Sequence, residues 1–597
     1  MTARRIALSL AAAACAALAA APAAHAETTP ALDRELARTG AGGTVAVIAV
    51  LESQVDPSAH PDAEALLRAL RREAARTQPA VARAADVSGT RRFWLVNAMA
   101  LRATPAQARE LASTPGVERV ELDRPVRIAG GGAQASSSPS AGEAWGLAAV
   151  GAPSLWARVG VNGAGIRIGS IDTGVDASHP ALAGRIAAWR DFVAGRPQPY
   201  DDNGHGTHTI GTMVGAAPGG APVGVAPGAS VVVARAMGAD GLASGSTLLA
   251  AAQWMTDPDG NPATADQPQV VNNSWGTQVR SDSWFRPMVR QWLALGIVPV
   301  FAAGNTGPGP STIGSPADYP ESLAVGSIGA GGSVSQFSAR GPVVWTDPDG
   351  TGPAAGTLLA KPDLVAPGEG IVSTVPGGGY AAYSGTSMAA PHAAGAVALL
   401  RQAAPSAAPA AVMEALRAGA ADRGPAGPDP DYGRGLLDLP AAFTVLTGGP
   451  VPAAAAPPAT TPAPQRRAAR RVGRRAPVRM TAAQMRTSRR IARVAARRVM
   501  ALERRLAGRA APWPLLRSRS RVTLRRSEML TTRRIARGAI RRAARLETRL
   551  LGGPRSAVAR LPRAPKRLSP AQLRLTDRMA RAALRRVRAL ERLAAQR

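Results

Sequence analysis

The stretch YSGTSMAAPHAAG, Tyr383 to Gly395, decides how this chain is read. Ser387 stands between a Gly-Thr turn and a run of small residues that predicts a helix start. It is either a helix cap or a nucleophile, and a serine nucleophile needs a base. The pattern G-x-S-x-G marks an elbow whose partners follow in the order serine, acid, histidine. Here Ala389 fills the last glycine position. His392 is the sole histidine after Ser387, five residues on and on the same predicted helix. It is too near to be a separate histidine loop, so a base must lie upstream.

Three upstream motifs carry candidate chemistry. In SIDTGVDASHP, Asp172 ends an apolar strand. A carboxylate there either caps a turn or orients a histidine through the second ring nitrogen. In YDDNGHGTHTIGT, His205 lies between Gly204 and Gly206 at a predicted helix start. His208 shares its face, but no glutamate follows His205 and no cysteine or third histidine is near, so the pair does not fit a zinc helix. In GIVPVFAAGNTG, Asn305 follows a strand. Its amide either serves the turn or donates to an oxyanion. The order available is therefore Asp172, His205, Ser387.

Composition divides the chain. Its 72 basic and 40 acidic residues give a net charge of +32. Residues 451–597 hold 41 of the basic and five of the acidic groups, leaving 31 and 35 for the first 450 residues. The body is nearly neutral and the tail polycationic, which marks a separate interaction segment. Residues 1–26 have Arg4 and Arg5, an apolar run and Ala24-His25-Ala26, the layout of a secretory signal peptide. The single cysteine, Cys15, lies within it; the leucine a lipidation signal places ahead of the cysteine is missing. A chain cut after Ala26 has no thiol and no disulfide. No later apolar run reaches the ~20 residues of a membrane span.

Residues 27–128 read as a small α+β unit. GTVAVIAVLES, RRFWLVNAMALRA and VERVELDRPV predict strands, and DAEALLRALRREAART and TPAQARELAST predict helices, the last opened by Thr104 and Pro105. Residues 129–142 form a Gly/Ser/Ala linker. Residues 143–447 alternate apolar strands (GIRIGSID, SVVVARAM, QVVNNSW, GIVPVFAAGN) with helices, which predicts an α/β fold with a parallel sheet covered on both faces. Residues 448–464 are a Pro/Ala linker. The tail, 465–597, repeats three amphipathic, Arg-faced helices with a 44-residue period at 484–506, 528–550 and 572–594.

The blocks IDTGVDASHP, NGHGTHTIGT, VFAAGN and SGTSMAAPHAAG resemble, in order, the signatures of the subtilisin family of serine proteases. VVNNSWG and WGLAAVGAPSLW resemble most the bacillopeptidase F type within it. The resemblance covers about 145–445, with a weaker one of 43–126 to that family's inhibitory, chaperone-like propeptide. It implies Ser387 as nucleophile, His205 as general base and Asp172 as its orienting partner. It further implies Asn305 in the oxyanion hole, and Ser274, Trp275, Gly276, Ala302, Ala303 and Gly304 as substrate-binding residues. No cofactor is expected for catalysis. The family often carries a calcium-ligating aspartate where Ala181 stands, so that site is expected to be lost, with structural calcium elsewhere left open.

The partners expected are protein or peptide substrates, the chain's own propeptide as intramolecular inhibitor, and an anionic surface or polymer for the tail. The protein is expected to be a monomer, secreted and extracellular, with the tail able to hold it at a cell surface. A reading from another class makes it a surface- or polyanion-binding protein that uses the same domain as scaffold.

Overall fold

The computed structural model describes residues 27–128, 145–217, 222–346 and 350–452. The predicted signal peptide, the linker 129–142, most of the linker 448–464 and the Arg-rich repeats of 465–597 lie outside the described residues.

The first part of the chain builds β1 (Glu27–Thr28), α1 (Pro30–Arg38), β2 (Val45–Leu51), α2 (Ala63–Ala84), β3 (Arg91–Phe93), β4 (Ala98–Ala103), α3 (Pro105–Ala112), β5 (Val117–Leu122) and β6 (Pro125–Ile128). Five of the strands form one sheet in the order β1-β5-β2-β4-β3. Helix α2 starts where the Asp62 carboxylate accepts from Ala65 N at 2.8 Å. Thr104 and Gln107 make the reciprocal capping box of α3. Period-2 alternation splits β2 between two cores: Val47, Ala49 and Leu51 pack with Leu32 and Leu111, while Ile48 and Val50 join the cluster containing Trp292.

Two strand expectations change. RRFWLVNAMALRA is one apolar run in sequence, but it folds into the hairpin β3–β4, pairing Phe93 with Ala98. Asn97, at φ +35°, makes the reversal, as asparagine tolerates better than most residues. Apolar periodicity does not reveal a turn whose own residues, Leu95 and Val96, are buried. Likewise VERVELDRPV is two strands: β5 stays in the first sheet, and β6 leaves it for another.

The second part contains α4 (Trp145–Ala149), α5 (Ala152–Arg158), β7 (Arg167–Asp172), β8 (Ile186–Asp191), α6 (His205–Val214), β9 (Ser230–Arg235), β10 (Leu242–Ser244), α7 (Gly245–Met255), β11 (Val270–Asn273), β12 (Trp275–Gly276), α8 (Arg286–Ala294), β13 (Val298–Ala302) and β14 (Leu323–Ile328). Then follow a short ribbon of β15 (Val343–Val344) and β16 (Leu358–Leu359), β17 (Leu364–Pro367), the hairpin β18 (Ile371–Val375) and β19 (Gly379–Tyr383), α9 (Thr386–Ala403), α10 (Pro409–Ala418) and α11 (Leu439–Thr447).

Seven strands form a parallel sheet in the order β17-β14-β13-β11-β7-β9-β8. Its central strands are buried on both faces, which is why VVVAR and VPVFA read as continuous apolar runs. Adjacent residues take opposite faces: Val270 and Val300 pack with α9, whereas Val271 and Phe301 pack with α7 and α8. Helix α9 is buried from Thr386 to Leu400, as a helix apolar on nearly every side requires.

One polar cluster pins the sheet edge. Lys361, one of two lysines in the chain, is buried, donating to Ser322 O at 2.6 Å and to Asp363 Oδ2 at 2.8 Å. Burial pulls the Lys361 pKa down against the attraction of Asp363. Asp363 also accepts from Arg417 Nε and from Ala324 N. Asp363→Ala strands a buried ammonium and is expected to destabilise by about 3–5 kcal/mol. In calorimetry this should read as a melting temperature lower by roughly 5–10 °C; an unchanged melt contradicts it.

Candidate active site

The four sequence blocks converge where strands end and helices begin, at the carboxyl edge of the parallel sheet. Asp172 is the last residue of β7 and almost wholly buried. Its Oδ1 accepts from Thr173 N at 2.7 Å and from His205 Nδ1 at 2.7 Å, and its Oδ2 accepts from Thr209 Oγ1 at 3.3 Å. A carboxylate only accepts, so the proton of the neutral ring sits on Nδ1 and Nε2 carries the lone pair. Among the described residues, Nε2 is buried with no hydrogen-bond partner.

His205 begins α6 directly after Gly204, whose φ of +94° suits glycine. Gly206 packs so tightly that a Cβ there would lie 2.2 Å from Gly174 O. Asp201 holds this helix start. Its carboxylate accepts from Gly204 N at 2.8 Å, Thr207 N at 2.8 Å and Thr207 Oγ1 at 2.7 Å. Burial opposes protonation of His205. The charge and hydrogen bond of Asp172, with the charge of Asp201 behind them, outweigh it and raise the imidazole above its ordinary 6.5.

Ser387 lies in the first turn of α9, buried, with Oγ donating to Ser274 O at 3.2 Å. Ser274 Oγ donates in return to Ser387 O at 3.0 Å. Asn305 follows β13. Its Oδ1 accepts from Thr386 N and Thr386 Oγ1, both at 2.9 Å, while Thr386 Oγ1 accepts from Gly304 N at 3.2 Å. These bonds assign the amide oxygen to Thr386 and turn Nδ2 away from it. Thr386 and Asp201 were not singled out from sequence; both stand inside quoted motifs as the polar residue flanking the reactive type.

A cavity of about 550 Å³ adjoins Asn305, lined in part by Gly276, Ala302, Ala303 and Gly304. Ser274 and Trp275, grouped with these in sequence, do not line it. The Trp275 ring is fully buried edge-on to Phe285 and Phe301, so this residue offers only its backbone. That backbone is in use. β6 lies between β10 and β12 as the middle strand of an antiparallel sheet, pairing Val126 with Ala243 and Ile128 with Trp275. Arg124, Pro125, Arg127 and Ile128 thereby line the same cavity. Asp123, just before β6, accepts from Ser246 N at 2.8 Å and Ser246 Oγ at 2.6 Å at the start of α7, where a helix favours negative charge.

His208 and His392 are held by structural contacts. His208 Nε2 donates to Ile371 O and Ala381 O, and its ring stacks on Tyr383. Burial, reinforced by the nearby His205 and His392, holds its pKa down to about 3. His392 bonds Met388 O within α9, and burial pulls its pKa to about 4. Ala181 is buried in a short turn and offers no carboxylate, so the family's calcium position has no ligand from this residue.

A sequence profile of the Subtilase family matches residues 163–435. Subtilisin E of Bacillus subtilis is 34% identical over 355 residues, covering 59% of this chain and 82% of that protein. Bacillopeptidase F of Bacillus subtilis is 35% identical over 391 residues, 60% of this chain but 26% of that protein, so the chain spans about a quarter of it. Alkaline elastase YaB of Bacillus sp. (strain YaB) is 36% identical over 262 residues, covering 44% of this chain and 61% of that protein. A parallel α/β sheet with its polar cluster at the carboxyl edge, matched in this way, defines a subtilisin-like serine protease. The chain belongs to the subtilase family.

Proposed function

We propose that the protein is a secreted serine endopeptidase, made as a zymogen, that works through Asp172, His205 and Ser387. The observation that carries this reading is the buried 2.7 Å Asp172–His205 bond with the ring's Nε2 left unpartnered. Ser387 Oγ attacks the peptide carbonyl while His205 Nε2 takes its proton. The resulting imidazolium is stabilised by Asp172 and then protonates the leaving amine. Water repeats the sequence to hydrolyse the acyl-enzyme. The oxyanion is held by Asn305 Nδ2, whose orientation Thr386 supports, and by the Ser387 backbone N–H.

Substrate would enter extended, taking the place of β6 between β10 and β12. Residues 27–128 act as propeptide inhibitor: β6 fills the substrate edge and Asp123 docks on α7. Removal requires a cut in the segment that follows β6. The signal-like residues 1–26 direct secretion, and the Arg-rich tail attaches to an anionic surface or polymer in a salt-sensitive way.

A serine-directed fluorophosphonate should label the processed protein and fail to label Ser387→Ala; folded, processed protein that stays unlabelled would sink the reading. Asn305→Leu removes one oxyanion donor. It should lower kcat by about 10²–10³ with KM little changed, a size carried over from the relative subtilisin. A change confined to KM would assign Asn305 to ground-state binding.

A further inference from the structure

The loop between α7 and β11 reads DPDGNPATAD, Asp257 to Asp266. One carboxylate oxygen from each of Asp257, Asp259 and Asp266 lies within 4.8 Å of the others. Oxygens bound to one Ca²⁺ at about 2.3–2.6 Å lie no more than about 5 Å apart, so the spacing fits one ion. Acidic loops are common, and spacing alone does not make a site.

Two further observations point to a cation. The first is orphaned acceptors. Asp257 is only 5% exposed, and its Oδ1 is enclosed with no hydrogen-bond partner. Asp266 Oδ1 is enclosed and unpartnered too. A buried carboxylate oxygen without a donor is costly unless positive charge meets it. The second is a positive group already seated at the rim. Arg71, on α2 of the first domain, donates Nη2 to Asp257 Oδ2 and Nη1 to Gly260 O at 3.1 Å. Its guanidinium reaches there over the Trp94 ring.

We propose that Asp257, Asp259, Asp266 and the Gly260 carbonyl form a Ca²⁺ site, and that Arg71 competes with the ion for it. Three carboxylates and one carbonyl, completed by water, are an oxygen set suited to a hard divalent cation. While Arg71 is docked it holds the Gly260 oxygen and one oxygen of Asp257, so the ion finds an incomplete shell. Thermodynamic linkage makes the effect reciprocal: whatever factor Arg71 costs the ion, the ion costs the docking of the first domain. The ion site stands independently of the proposed catalysis; only its consequence, favouring release of the first domain after cleavage, rests on the propeptide reading.

Ca²⁺ binding is measured by titration calorimetry on the full chain carrying Ser387→Ala, which is expected to stay uncut. Adding Arg71→Ala should tighten Ca²⁺ by about tenfold or more. Adding Asp259→Asn, at an exposed position, should weaken it by a similar factor with or without Arg71. Affinity unaltered by Asp259→Asn overturns the site, and affinity unaltered by Arg71→Ala overturns the competition. Gel analysis separates the two readings: a Ser387→Ala chain that is still cut counts against the assignment of Ser387 and leaves the calcium result standing.

Discussion

Ser387→Ala is expected to lower kcat on peptide substrates by on the order of 10⁶, the size carried over from the relative subtilisin. On the mechanism proposed above, the loss follows from removing the oxygen that forms the acyl bond. Oxyanion donors remain, so once residues 27–128 are removed by an added protease a residual rate of about 10³–10⁴ over water should persist. The fold should survive. Ser387 Oγ donates to Ser274 O at 3.2 Å, and the bond from Ser274 Oγ ends on the Ser387 backbone carbonyl, which alanine keeps. The same variant should leave residues 27–128 attached, because the cut after β6 is proposed to be the enzyme's own. Turnover of a peptide library and the size of the purified chain check both. Full activity in Ser387→Ala would contradict Ser387 as the nucleophile, and removal of residues 27–128 with activity lost would contradict self-processing.

Asp172→Asn is expected to cost about 10⁴ in kcat near neutral pH. Asparagine can present its amide to Nδ1 and stabilise the wrong tautomer, with the proton on Nε2 where a lone pair is needed. The pH profile gives a second readout. In the native chain burial lowers the His205 pKa, but the charge and hydrogen bond of Asp172 raise it further, to a net value above 6.5. With His205 as the proposed base, activity needs the neutral ring, so the acid limb of kcat/KM should lie above pH 6.5. With Asp172 neutralised, burial dominates and the limb should move to lower pH. Stability has the opposite sense. A histidine whose folded pKa is raised contributes stability that is full below its unfolded value and is lost as pH rises through the folded value. The Asp172–His205 pair thus favours folding most where the enzyme works least. An acid limb unmoved by Asp172→Asn would show that another group sets it.

Much of the architecture was readable because it rests on local patterns. Alternating apolar strands and helices imply a parallel α/β sheet, and Gly204, Thr104 and the Ser387 turn each announce a helix start within a few residues. The hairpin inside RRFWLVNAMALRA was hidden because its turn residues are themselves apolar and buried. The departure of β6 was hidden because its partners, β10 and β12, are over a hundred residues away in sequence. Trp275 shows the same limit on a single side chain: Gly276 beside it lines the cavity, but only packing against Phe285 and Phe301 reveals that the Trp275 ring does not.

The fold class and the chain order of Asp172, His205 and Ser387 could be read from residue type and chain position alone, and His392 stands too near Ser387 in sequence to be read as its base. The tertiary structure alone decided who meets whom. It joined Asp172 to His205 across 33 residues, Thr386 to Asn305 across 81 and Arg71 to Asp257 across 186. Periodicity and caps are set by neighbours within a turn or two. Contacts at such separations are set by strand order and by the packing of helices on both faces of the sheet, which no short stretch of sequence encodes.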